Sequence, residues 1–247
     1  MILWILFQAA LAAQPSCTEI GIADILAIQA PAVIVLGERH GTQPDLARAA
    51  RIANRLKRVA DVTVALEAIH HDQQQVLDDH AAEKFDKADL PGLLDWPNRW
   101  GFPYKPYEPL VTAAERELRV IGAGLDLGQR PEGRTTPIPN GYINILRDAM
   151  AEHEMPVDME ARFVQSMAWR DYRIAESAIQ GWDQQGYLLI VAGRGHVEGG
   201  KGVQWQAQRM VSVPVHSFVL AWASPPCYSG DRVWRPSLLE QLFGSGK

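Results

Sequence analysis

Basic stretches are missing from this 247-residue chain: it has no run of Lys and Arg and no internal repeat, and 29 acidic side chains outweigh 24 basic ones to give a net charge of −5. A nucleic-acid partner needs a basic face, so that class of function is excluded. Cysteine is almost absent, with only Cys17 and Cys227. Without Cys-x-x-Cys or Cys-x-x-Cys-His, neither a structural zinc site nor covalent haem attachment is expected. The two thiols either stay separate or pair in an oxidising compartment, where closing so long a loop is worth up to ~5 kcal/mol. Positive charge is also lacking ahead of Arg39, although Met1 to Ala13 is apolar apart from Gln8. That stretch is shorter than the roughly 20 apolar residues of a membrane span, and Ala10-Leu11-Ala12 resembles a cleavage site. The expectation is a secretory signal over 1–13 that lacks the usual positive start, and hence an exported protein, periplasmic or membrane-associated. A lipid anchor is not supported, because Gln14-Pro15-Ser16 before Cys17 is not a small apolar run.

What remains is an ordinary globular composition, 47% hydrophobic with a mean hydropathy of −0.14, enough for a sizeable core. The stretch around which the chain is organised is Val33-Ile34-Val35-Leu36-Gly37-Glu38-Arg39-His40-Gly41. Its four apolar, mostly β-branched residues predict a strand buried on both faces, as in a parallel sheet. The strand stops on a glycine and presents a carboxylate, a guanidinium and an imidazole. A helix over about Asp45 to Ala60 follows, with Leu46, Ala49, Ala50, Ala53 and Leu56 at helical spacing. Val62 to Leu66 reads as a second buried strand ending in Glu67, and together these make a right-handed βαβ unit. In open α/β sheets ligands bind beyond the carboxyl ends of the strands, which is where Glu38, His40 and Glu67 are expected.

Further on, His70 and His71 read as the polar start of a helix over Asp72 to Phe85. The segment Leu94 to Tyr107 is dense in aromatics and prolines and reads as a loop with a fixed path. A helix over Tyr107 to Leu118, a strand over Val120 to Asp126 and a Gly- and Pro-rich link from Gly128 to Pro139 come next. Helices over Tyr142 to Glu154 and Met159 to Gln180 precede a buried strand, Tyr187 to Ala192, which ends in Gly193-Arg194-Gly195-His196. A last strand spans Val213 to Ala221. The predicted architecture is therefore α/β, a mostly parallel central sheet flanked by helices. It spans 18–222, with helical subdomain segments at about 70–118 and 140–181 and an irregular tail over 223–247.

Two strands thus end in a Gly-x-x-His turn. With Glu38 and Glu67, the imidazoles of His40 and His196 could hold a divalent metal, and a glutamate could act as base on metal-bound water. The same four side chains could instead form a hydrogen-bonded cluster that satisfies strand ends. The aromatic segment is similarly open. Trp96, Trp100 and Phe102 either plug the core or lie against a flat apolar ligand, with Tyr104 or Tyr107 as phenolate to an iron.

Taken in order, Leu36-Gly37-Glu38-Arg39-His40-Gly41, Ala65-Leu66-Glu67, Trp100-Gly101-Phe102-Pro103 with Tyr107-x-Pro109, Met167-Ala168-Trp169 and Ala192-Gly193-Arg194-Gly195-His196-Val197 resemble the ChaN family of the Tiki/TraB/erythromycin-esterase superfamily. The resemblance runs from about Ile34 to Gln208. It implies a mixed α/β core, haem as ligand in haem or iron acquisition, tyrosine ligation at a homodimer interface, and an outer-membrane haem receptor system as partner. On that basis Tyr107, then Tyr104, would ligate iron while Trp100 and Phe102 contact the porphyrin. The superfamily also implies an alternative, a metal-dependent protease- or esterase-like hydrolase using Glu38, His40, Glu67 and His196. Arg39, and the arginines of Trp169-Arg170-Asp171-Tyr172-Arg173, depart from the family pattern.

Overall fold

The computed structural model describes residues 17–125, 135–150, 156–221, 228 and 231–235. The expected signal over 1–13, Asp126, most of the Gly- and Pro-rich link and most of the C-terminal tail lie outside the described residues, as does Cys227. Cys17 is disulfide-bonded. Among the described residues no helix is long and apolar enough to cross a membrane.

Among the described residues seven strands form one sheet in which every pairing is parallel. They are β1 (Thr18–Ile20), β2 (Ala32–Glu38), β3 (Val62–His70), β4 (Arg119–Gly124), β5 (Tyr187–Gly193), β6 (Val215–Leu220) and β7 (Arg232–Trp234), in spatial order β1-β7-β6-β2-β5-β3-β4. The organising strand β2 lies between β5 and β6, so the three strands β2, β5 and β3 stand side by side.

Side chains along a strand alternate between faces, and β2 shows why its run is apolar throughout. Ile34 and Leu36 pack into one layer with Leu46, Ala49, Ile52 and Leu56 of α2 (Gln43–Leu56). Val33 and Val35 pack into the other, with Ile174, Ala175 and Ala178 of α8 (Val157–Gln180) and Val203 and Ala207 of α9 (Val203–Gln208). The remaining helices introduce no new layer. α1 (Ile22–Leu26) precedes β2, while α3 (Gln74–Ala81), α4 (Leu90–Leu93), α5 (Trp96–Arg99) and α6 (Glu108–Val111) fill the β3–β4 connection. α7 (Tyr142–Ala149) joins α8 in a small third cluster around Tyr142, Leu146, Val164 and Ala168.

Several expected elements change length. The aromatic segment is not a plain loop: Asp95 adopts a left-handed conformation that starts the single turn α5. The helix expected over Tyr107 to Leu118 is broken into α6 and a 3-10 turn over Ala113–Arg116. The strand expected to end in Glu67 runs on to His70, with a register shift against β4 between Leu66 and His70. That shift is how a buried carboxylate enters the strand without breaking it, since a bulge re-aims side chains.

Candidate functional site

In the sheet Glu38 pairs with Gly193 across the β2–β5 boundary, and β3 flanks β5 on its other side. Adjacent strands therefore bring Glu38, Glu67 and the two Gly-x-x-His turns to one edge. The first turn closes through Gly41, whose φ of +69° suits glycine, and through Asp45, which accepts from the Arg39 amide at 3.2 Å.

The two imidazoles meet different partners. His196 is buried, with Nδ1 2.6 Å from Asp171 Oδ1 and Nε2 3.2 Å from Glu67 Oε1. Burial alone would lower its pKa, but the two carboxylates outweigh it and raise it to about 9, so both ring nitrogens donate. Glu67 also accepts from Arg170 Nη2 at 2.8 Å and from the Gly193 amide at 2.7 Å. Burial opposes its ionisation, yet His196, Arg170 and His40 together hold its carboxyl well below the usual range. Asp171 accepts a further bond from the Tyr142 hydroxyl, which closes the network.

His40 is only partly buried. Its Nδ1 lies 2.6 Å from Glu38 Oε1, and its ring packs edge-on against Trp100 and tilted against Phe102, at 4.7 and 5.0 Å between centroids. Glu38 is raised in pKa because burial outweighs its hydrogen bonds from His40 and Tyr107. Beyond His40 opens a cavity of ≈ 680 Å³, within the size range of small-molecule and cofactor sites. Trp100, Phe102, Leu125 and Ile174 give it apolar walls, and Arg99 and Arg170 line it with positive charge.

The family model of haem-binding uptake proteins, ChaN in the Tiki superfamily, matches residues 25–207. The chain belongs to the ChaN family. Among solved structures it is similar to the ChaN of Campylobacter jejuni described for cofacial haem binding, at 20% identity and a TM-score of 0.66, over 86% of this chain and 89% of that one. It is also similar to the type III effector HopBA1, at 12% identity and a TM-score of 0.50, over 83% of this chain and 87% of that one. No curated protein matches the sequence. These likenesses agree with the α/β fold, a parallel sheet between helical layers.

Within this ChaN-family fold the site residues expected from sequence separate into two groups. His40, Glu67, Trp100 and Phe102 line the cavity. Tyr107 does not: it is 1% exposed, its hydroxyl donates to Glu38 Oε1 at 3.1 Å and accepts from the Gly41 amide at 3.0 Å. Burial and the neighbouring Glu38 raise its pKa further above the usual phenol value. The Tyr104 hydroxyl is also buried, and its ring packs edge-on with that of Trp96, with centroids 5.0 Å apart. The metal set also disperses. His196 has no lone pair to offer, and among the described residues no group of three or more His, Cys, Asp or Glu side chains could hold a metal ion.

Four contributors escaped the sequence reading. His70, expected as helix-start polarity, ends β3 and lines the cavity, its Nδ1 3.1 Å from Arg99 Nη1. Arg99 itself is held by Asp72 at 3.1 Å. Arg170 and Asp171 come from α8. The signal for Asp171 was available: Val164, Ala168, Asp171, Ala175 and Ala178 form one buried helical stripe, and a carboxylate in such a stripe requires a partner.

Proposed function

We propose that this protein binds haem in the cavity at the carboxyl ends of β2, β5 and β3 and serves haem or iron acquisition outside the cytoplasm. One observation carries the reading. His40, Trp100 and Phe102 face a single cavity that two arginines also border. Each part of haem finds a counterpart there. The aromatic rings and Leu125 and Ile174 suit an apolar macrocycle, the guanidinium groups of Arg99 and Arg170 suit carboxylate side chains, and an imidazole suits iron. Bound haem would supply its iron as a cargo to be carried or released. The residues of this chain position it and exclude water.

Family membership supports haem as the ligand. Export and the receptor partner are parts of the proposal, and the disulfide at Cys17 fits an oxidising compartment. We also carry over a homodimer, for which the half-exposed Phe102 at the cavity rim offers an apolar contact. The metal-dependent hydrolase is the weaker reading, since His196 donates through both nitrogens.

A haemin titration followed in the Soret region tests the proposal. A saturable shift is expected, weakened about tenfold in Arg170→Ala, the effect of losing one charge-assisted contact of ~1.5 kcal/mol. The absence of any saturable shift in the wild-type protein overturns the reading.

A further inference from the structure

We infer that a second cavity, between α3, the segment after it and the 3-10 turn over Ala113–Arg116, binds a small organic cation with two or more ammonium groups. It shares no lining residue with the cavity beyond His40, and its occupancy is independent of the haem reading.

His80 carries the inference. On α3 the buried residues are Leu77 and His80, three positions apart and so on one face. Leu77 joins the core there. His80 is only 7% exposed, borders the cavity, and has no hydrogen bond at either Nδ1 or Nε2. Glu115 Oε1 stands 3.9 Å from Nε2, too far for a hydrogen bond. Burying a polar ring with both nitrogens unmet is unfavourable, and an apolar side chain of similar size would suit the fold better. A ligand that meets the ring offsets that cost.

The walls decide the class of ligand. Glu83, Asp86, Glu115 and Glu117 border the cavity, against the single cation Lys87 among the described lining residues, which already lies 3.4 Å from Glu115 Oε2. Ionised carboxylates can only accept, and a neutral imidazole keeps one acceptor nitrogen in either tautomer. Ring and walls therefore call for the same thing, a donor, and beside these carboxylates a positively charged donor is favoured. An alkylammonium group supplies up to three N–H bonds. Phe85 stacks on the imidazole, with centroids 5.9 Å apart and planes at 26°, and offers an aromatic face to a methylene chain or a cation. The volume of ≈ 460 Å³ is that of a small-molecule site. A metal ion suits it less, since among the described residues no group of three or more His, Cys, Asp or Glu side chains could hold one.

The test is a calorimetric titration with spermidine, beside thermal melts, of wild type, His80→Leu and the double variant Glu83→Gln/Glu117→Gln. Wild type should bind one equivalent saturably, while glutarate, a dianion, should not bind. Without spermidine, His80→Leu should melt no lower than wild type, because an apolar group replaces an unmet polar one. It should bind spermidine about tenfold more weakly. The double variant alters two exposed carboxylates, so it should melt as wild type does and bind several-fold more weakly. If His80→Leu melts much lower or does not fold, the double variant decides: weakened binding upholds the inference and unchanged binding overturns it. Wild type that binds no spermidine also overturns it, as does glutarate binding equally well. Spermidine binding that neither variant alters is general attraction to an acidic chain, and it too overturns the inference.

Discussion

The two Gly-x-x-His turns leave neighbouring strands at the same edge of the sheet and end in opposite conditions. His196 is enclosed between two carboxylates, and both of its nitrogens donate. His40 has one carboxylate on one nitrogen, aromatic rings against its faces, and a cavity beyond. The same residue type in the same local pattern is thus enclosed between two carboxylates in one place and borders a cavity in the other. What differs is the helix above. α8 brings Asp171 to the second nitrogen of His196, and among the described residues no second carboxylate is hydrogen-bonded to His40. The fixed turn can hold the sheet edge together, while the open one can meet a ligand.

The largest effect should come from breaking the closed side. Asp171→Ala removes one partner of a buried network and leaves Tyr142 without its acceptor and His196 with Glu67 alone. Removing one member of such a group costs about 3–5 kcal/mol, readable as a lowered denaturant midpoint at neutral pH. His40→Gln, measured alongside, should cost much less. Equal losses in the two variants would erase the distinction between the turns.

Next in size is a pH effect. The pKa of His196 is raised from 6.5 to about 9 in the folded protein. In that interval the native state binds more protons than the unfolded one, so stability is fully present below about pH 6.5 and falls as pH rises through 9. The loss is on the order of 3 kcal/mol for a shift of this size. Denaturation midpoints between those limits should therefore decline, and Asp171→Asn should flatten the slope. A flat wild-type profile would mean that His196 is not the fixed cation described above.

Much of this molecule is legible in the sequence because a strand buried on both faces has a simple signature. The continuous apolar runs of β2, β3, β4 and β5 declare themselves, and with them the parallel sheet. β1 and β7, three residues each, carry no such run; β7 pairs with β6 and β1 pairs with β7. Glu38, His40, Glu67 and His196 were legible as a set because two turns repeat one pattern. Their separate fates were not, since these depend on side chains distant in sequence. Asp171 stands 25 residues before its histidine, and Tyr107 stands 69 residues from Glu38. The surroundings of the tyrosines were hidden for a related reason. A motif shows that a phenol is present, but whether its hydroxyl faces a cavity or a buried carboxylate is decided by α5 and α6, which the proline-rich segment concealed.

The smallest expected change sharpens the open side. Of the aromatic residues that could plug the core, Trp96 does so: it is buried, and its Nε1 donates to the Phe102 carbonyl at 2.7 Å. Phe102 is different, with 40% of its surface exposed while its ring packs on His40. A side chain that the core does not need can be removed cheaply, so Phe102→Ala should move the thermal midpoint by no more than about 0.5 kcal/mol equivalent. Loss of an aromatic face against bound porphyrin should still weaken haemin by roughly 0.5–1.5 kcal/mol, a few-fold in affinity. A variant that is strongly destabilised yet binds haemin normally would put Phe102 with Trp96 in the core, and the cavity would lose one of its walls. Retained stability with weakened haemin is the outcome that separates the ligand-facing turn from the structural one.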